Sequence, residues 1–387
     1  MAGSPVAGHR DTKPPGTDST PPAPKRLSSL TGLRFAAAVA VLYTHSMLMI
    51  NPHLAKTLGP EVWVGGSAVS LFFILSGYVL THSARPDDTA RAFWRRRAAK
   101  IFPNHALIWC IVVGALACAG ATTLSEGSGI AASLSSLFLV HTWVPSHLFV
   151  SAGNPVSWSL AAEVFFYFLF PFMLPRIKRL SPRGLLIGAA TAIAVVWLWP
   201  VFCALVVNPD GSSFPEYWFL YMLPVTRLPE FVLGMLAARI ASSGLRIPRI
   251  GVLPSALGVI SAVIMNSAFL PQRFLYAAST VAPLVVLVYA TAELDLRDRT
   301  SLLRTRPLVL LGEMSYAMYL LHFLVLGLLY MGLTDHGWSN LSVVLLGIPF
   351  VLLTSWLLYA GVERPCVRRF STPRARTRTR TRAAAAS

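Results

Sequence analysis

The chain alternates between apolar runs of about helix-spanning length and short polar segments rich in Arg and Lys. The apolar blocks occupy 30–50, 63–82, 103–124, 131–150, 157–175, 184–207, 217–238, 251–270, 274–292, 308–332 and 341–361. Each is near the roughly 20 residues that an α-helix needs to cross a hydrocarbon core about 30 Å thick. The pattern predicts an all-α polytopic membrane bundle, since backbone groups in lipid must be satisfied within their own segment. Eleven crossings would leave the two ends on opposite sides, and the basic segments contradict that count. "SARPDDTARAFWRRRAAK" after the second block and "PRIKRLSPR" after the fifth both read as cytoplasmic. An even number of crossings must separate them, yet three blocks lie between. The fourth block, "AASLSSLFLVHTWVPSHLFV", is interrupted by His141, Pro145 and His147, and no Lys or Arg lies between Lys100 and Arg176. It is therefore read as re-entrant or lying against the outer face. Ten spans remain, with "RIASSGLRIPR", "ELDLRDRTSLLRTRP", "ERPCVRRF" and both termini in the cytoplasm.

Composition agrees with this reading and narrows the function. Of 387 residues, 55% are hydrophobic and 13% charged, where a soluble domain carries roughly 25% charged. The net charge of +17 sits mainly in short loops and the C-terminal tail, which follows the positive-inside rule and excludes a nucleic-acid-binding surface. Cys110, Cys118, Cys203 and Cys366 have no metal-type spacing, so neither a disulfide framework nor a metal site is expected. Residues 1–29, rich in Pro, Gly, Ser and Thr, lack the apolar core of a signal peptide and read as a disordered cytoplasmic tail. Residues 367–387 read as a disordered basic tail attracted to anionic lipid head groups. The membrane domain is expected over 30–366.

The first span, "RFAAAVAVLYTHS", opens on Arg34 and nearly closes on His45. At 100° per residue the two project from one helix face, about 16 Å apart along the axis. With the N-terminus inside, Arg34 lies near the cytoplasmic boundary, where a long side chain can snorkel. His45 lies beyond the mid-plane and has no such escape. An ionisable residue at that depth faces a bundle interior or a water-filled cavity. From this span alone, a functional histidine and a satisfied core histidine are both open.

Several stretches resemble, in order, the signatures of the acyltransferase 3 family of integral membrane enzymes. "LTGLRFAAAVAVLYTHS" is similar to the family's first helix, a basic residue followed after ten positions by histidine. "LFFILSGYVL", "RRRAAKIFP", "WSLAAEVFFYFLFP", "RLPEFVLGML", "LGEMSYAMYLLHF" and "VERP" match later signatures, covering about 29–366. Two positions depart from the pattern. Lys100 stands where the loop motif usually has a second arginine, and lysine lacks the bidentate fork for phosphate. Val164, after Glu163, stands where a second acidic residue is common.

The resemblance implies a ten-helix O-acyltransferase that moves a short acyl group, acetyl or propionyl, from acyl-coenzyme A to a hydroxyl, with no permanently bound cofactor. His45 would be the base, an imidazole being able to take a proton near neutrality. Arg97 and Lys100 would bind the coenzyme A phosphates by charge-assisted hydrogen bonds, beside the alternative that they only satisfy the positive-inside rule. Arg34 and Glu163 would complete the catalytic site with His45, Glu163 either orienting a histidine or holding Arg34. Arg227 and Glu230 read as a structural pair on one helix face. Ser315, Tyr319 and His322 form one polar stripe, read as glue between helices. Glu363 reads as part of a cap and anchor at the cytoplasmic end.

The acceptor is a small-molecule hydroxyl compound in either of two enzyme readings. A chain closing soon after its last span, with Ala- and Arg-rich composition, resembles the macrolide O-acyltransferases of antibiotic producers. The alternative enzyme acetylates sugars of the cell envelope or exopolysaccharide. A secondary transporter is the alternative from another class; transporters often repeat one half in the other, and here the histidine motif occurs once.

Overall fold

The computed structural model describes residues 25–54, 59–85, 88–118, 127–208, 213–245 and 247–371. Among the described residues, ten helical segments are long and apolar enough to cross a membrane. The first three crossings are α1 (Ser28–Ile50), α2 (Pro60–His82) and α3 (Ala90–Cys118). Two short helices follow, α4 (Gly127–Leu137) and α5 (His147–Ser151). The remaining crossings are built on α6 (Trp158–Lys178), α7 (Pro182–Phe202), α8 (Pro224–Ser242), α9 (Val252–Phe269), α10 (Ala278–Leu296), α11 (Arg306–Thr334) and α12 (Asn340–Leu358). The last of these runs on through a π-helical turn into α13 (Arg364–Ser371). Ten crossings place both ends of the described chain on one side, as the basic loops require.

The fourth apolar block does not cross. The 11 residues of α4 rise about 16 Å, roughly half a hydrocarbon core. The chain then turns at Leu139, whose φ is 58°. A single 3-10 turn at His141–Trp143 and the short α5 carry it back to the start of α6. The expected tails at 1–29 and 367–387 lie largely outside the described residues. Within the described residues, α1 begins at Ser28 and helix continues to Ser371.

Local chemistry explains several helix ends. Proline opens α2, α7 and α8, where its missing N–H costs nothing. Ser181 and Ser339 accept from the backbone N–H groups of Gly184 (3.1 Å) and Ser342 (3.2 Å) and so cap α7 and α12. The first turn of α1 is capped from another helix: buried Asp295 at the end of α10 accepts from the Ser29 backbone N–H (2.7 Å) and hydroxyl (2.9 Å). A carboxylate at a helix N-terminus is favoured by the dipole as well.

The most buried crossings are α2 and those containing α8 and α10; α9 is the most peripheral. The α2–α8 crossing is set by two glycines. A Cβ on Gly77 would sit 2.0 Å from the Phe231 carbonyl oxygen, and one on Gly234 2.0 Å from that of Ile74. Close helix approach through small residues substitutes for the hydrophobic drive that lipid removes. Upstream of α8 the crossing is broken: Trp218–Met222 is π-helical and ends at Leu223, just before Pro224. Such π segments are frequent at functional sites.

Candidate active site

His45 stands on α1 at the wall of an internal cavity of about 360 Å³. The cavity is mostly aromatic, with Trp63 of α2, Trp158 of α6, Tyr217 and Tyr221 of the broken crossing, Tyr276, and Phe323 of α11. The break at Trp218–Met222 turns Tyr217 and Tyr221 together toward this space, their rings stacked with centroids 5.3 Å apart. Beneath Tyr221, the buried Arg227 guanidinium lies 5.2 Å from its ring centroid and 5.3 Å from that of Phe73. Arg227 also donates to Glu230 (2.6 Å) and Ser70 (2.9 Å). This is the structural pair expected from spacing, with the added role of backing the cavity wall.

The His45 imidazole meets a second histidine. Its Nδ1 is 3.0 Å from the Val41 carbonyl oxygen and 3.2 Å from Nε2 of His322 on α11. The ring centroids are 4.9 Å apart, and Phe323 packs edge-on against His45 at 5.5 Å. The polar stripe of α11 thus divides. Tyr319 does join helices: its hydroxyl donates to the Val156 carbonyl oxygen (3.0 Å) and accepts from Ser159 (2.7 Å). Ser315 only returns to its own helix at Gly312 (2.8 Å). The expectation of glue does not describe His322, to which the rule that singles out His45, an ionisable group deep in a span, applies equally.

Two further cavities lie toward the cytoplasmic side. A narrow one of about 40 Å³ is lined by Arg34, Ser159, Glu163, Ser315 and Tyr316, and shares Val69 and Tyr319 with the histidine cavity. Glu163 accepts from Tyr167 (2.9 Å), whose oxygen lies 2.8 Å from that of Ser76. Glu163 and Arg34 line this narrow cavity together, and Glu163 does not line the histidine cavity. Glu163 therefore belongs with Arg34 and not beside His45. The third cavity, about 560 Å³, opens between the α2–α3 segment and the end of α6, and is lined by Arg85, Asp88, Arg96, Arg97 and Lys178. Arg96 pairs with Asp88. Arg97 Nε is buried with no hydrogen-bond partner among the described residues.

Lys100 points elsewhere. It forms an ion pair with the buried Glu363, which also accepts from Asn104 Nδ2 (2.9 Å). Glu363 is thus a buried anchor tying α3 to the last crossing. Outside the spans, His141 is wholly buried with neither ring nitrogen hydrogen-bonded among the described residues. Burial, helped by the nearby His105, lowers its pKa to about 4. His147 stacks on Phe214 with centroids 3.6 Å apart, and both line the histidine cavity. Among the described residues no group of three or more His, Cys, Asp or Glu is placed to hold a metal ion.

Among the described residues, ten membrane-spanning helices surround an aromatic cavity with His45 at its wall, the arrangement of a multi-pass membrane protein with a candidate site inside its bundle. A family model described as an acyltransferase domain matches residues 27–360, and the chain belongs to this acyltransferase family. The chain is 36% identical to the acyltransferase MdmB of Streptomyces mycarofaciens, over 90% of this chain and 93% of that one. It is 25% identical to nodulation protein 10 of Rhizobium leguminosarum bv. viciae, over 87% and 92% respectively. A putative O-acetyltransferase of Staphylococcus aureus (strain COL) is 23% identical over 88% of this chain, which spans 58% of that longer protein. No solved structure matches significantly.

Proposed function

We propose that the protein transfers an acetyl or propionyl group from acyl-coenzyme A to a hydroxyl of a macrolide. The observation that carries this reading is a set of three cavities: the basic one at Arg97, the narrow one at Arg34 and Glu163, and the aromatic one at His45, the last two sharing Val69 and Tyr319 in their walls. Arg97, with a donor group left unpaired, suits the phosphates of the nucleotide end. The narrow cavity suits an extended chain and not a ring. Trp63, Trp158, Tyr217 and Tyr221 suit the apolar faces of a saturated ring compound, with few polar groups to orient it.

His45 acts at the reacting centre. Its Nε2 accepts the proton of the acceptor hydroxyl as that oxygen adds to the thioester carbonyl carbon. When the carbon–sulfur bond breaks, His45 returns the proton to the departing sulfur, so coenzyme A leaves as the free thiol. Proton transfer of this kind contributes about 10²–10⁴ in rate. The macrolide acceptor follows from the resemblance of the sequence to macrolide O-acyltransferases and is supported by the aromatic lining of the cavity; the match to MdmB supports acyl transfer.

The test uses membranes carrying the wild-type protein or His45→Ala, given radiolabelled acetyl- or propionyl-coenzyme A and a panel of macrolides and sugars. Label is expected on a macrolide hydroxyl with the wild type only. Label on sugars alone would replace the acceptor assignment, and equal transfer by the folded variant would remove His45 from the chemistry.

A further inference from the structure

His322 is 1% exposed and comes from a helix 277 residues away from His45 in sequence. Its Nδ1 is 2.7 Å from the Tyr319 carbonyl oxygen and 3.2 Å from that of Met318. Carbonyl oxygens only accept, so Nδ1 carries the hydrogen in the neutral ring and Nε2 keeps a lone pair. That lone pair faces His45 Nδ1 at 3.2 Å. The other neighbour of His45 Nδ1 is the Val41 carbonyl oxygen, again an acceptor. A hydrogen bond exists at these contacts only if His45 Nδ1 is the donor. Its Nε2 is then unprotonated, the state a base requires. The chain of assignments starts at two backbone carbonyls of α11 and ends at the reactive nitrogen of α1.

We propose that His322 is a positioning residue for the acyl transfer: it holds His45 in the Nδ1–H tautomer and steadies the imidazolium formed when Nε2 takes the hydroxyl proton. This inference rests on the proposed role of His45 as base. The Val41 carbonyl cannot do the task alone, because it lies one turn below His45 on the same helix and moves with it. The contact from α11 fixes the ring relative to the cavity, which α11 also lines through Tyr319 and Phe323. No proton passes to His322. Its Nε2 accepts one hydrogen bond throughout, and that bond strengthens when its donor becomes charged. The division of labour is that of the carboxylate behind the histidine in serine-hydrolase triads, where spoiling the tautomer lowers kcat by about 10⁴. A neutral imidazole offers less charge compensation than a carboxylate, so a smaller dependence is expected here.

The experiment compares His322→Gln, His322→Asn and His322→Leu with wild type and His45→Ala, all as full-length protein in detergent. Radiolabelled acetyl-coenzyme A is the donor, and the acceptor is the macrolide of the panel that wild type acylates best. Folded protein is normalised by size-exclusion recovery. A glutamine amide oxygen reaches the place of Nε2 and accepts from His45, while asparagine stops short of it. The expected result is a kcat loss of about 100-fold for Leu and Asn, at the lower edge of general-base effects. KM for donor and acceptor stays within about twofold in both, since uniform binding is untouched. Gln recovers about tenfold of the lost rate by restoring the acceptor. Gln no better than Asn, or a Leu variant with wild-type kcat, overturns the proposal while His45→Ala remains inactive and the base assignment stands. Wild-type turnover by His45→Ala overturns the base assignment itself, and the positioning role with it.

Discussion

His141 makes the bundle's stability depend on pH in a calculable way. It lies outside the crossings, 0% exposed, with both ring nitrogens unsatisfied. Burial lowers its pKa from 6.5 to about 4. Between those values the unfolded chain binds a proton that the folded chain refuses, so stability is full above pH 6.5 and falls as pH drops toward 4. The full span is worth about 3 kcal/mol, at roughly 1.4 kcal/mol for each pH unit between the two values. Moving from pH 7 to pH 5 uses somewhat more than half of it, about 2 kcal/mol. With an unfolding entropy near 2 cal/mol/K per residue, a chain of this length loses about 2 °C in Tm from His141 alone. The assay is thermal unfolding in detergent at pH 7 and pH 5 for wild type and His141→Gln. Gln cannot titrate, so the drop in Tm between the two pH values should shrink by about 2 °C. An identical drop in both proteins would refute the reasoning: His141 would then charge as readily folded as unfolded.

Two other substitutions separate binding from structure. Arg97→Ala removes a guanidinium with an unpaired nitrogen beside the basic cavity. It should raise KM for acyl-coenzyme A by about 10- to 100-fold, the worth of one charged hydrogen bond, with acceptor KM unchanged. Lys100→Ala instead leaves the buried Glu363 without its ion-pair partner and should cost folded protein, not donor affinity; saturation kinetics beside size-exclusion yield distinguish the two. Gly234→Val drives a branched side chain into the Ile74 carbonyl and should lower Tm by about 1–4 °C, overpacking of a tight core costing about 1–3 kcal/mol. An unchanged Tm would mean that the α2–α8 crossing is not set by backbone contact.

How far the structure was legible in the sequence depended on the range of the constraint. The ten crossings and the non-spanning fourth block followed from parity: basic segments fix sides, and a chain cannot reach the same side after three crossings. Pro145, His141 and His147 marked the block that had to give way, and Leu139 with its positive φ is where it turns. The shared face of Arg34 and His45 was legible from helix period alone. The partnership of His45 with His322 was not, because period says which residues of α11 share a face but not which helix that face meets. Lys100 was read with Arg97 because the two are neighbours in one loop motif. Three residues of helix leave the two about 60° apart, and the side of the helix that carries Lys100 meets the last crossing, where it pairs with Glu363 near the far end of the chain. The aromatic cavity was equally hidden. Its wall depends on a π-helical break before Pro224, and an apolar run containing Tyr217 and Tyr221 reads the same broken or continuous.

Ionisable residues deep in a membrane protein are often taken together as functional, but here they fall into two groups by whether the protein satisfies them. Arg227 has Glu230, Ser70 and two aromatic faces; Lys100 and Glu363 have each other; Asp295 caps α1. Each of these is internally compensated and serves the fold, because removing one partner leaves a charge that lipid cannot hydrate. Arg34, Arg97 and His45 differ. Each lines a cavity, and Arg97 keeps a nitrogen with no partner among the described residues. Glu163 is intermediate, held by Tyr167 yet open to the narrow cavity beside Arg34. Groups left incomplete toward a cavity are the ones whose remaining valence a substrate can fill. His141 shows why the cavity must be part of the criterion: it is unsatisfied too, but lines none of the three spaces, and its cost appears in pH-dependent stability.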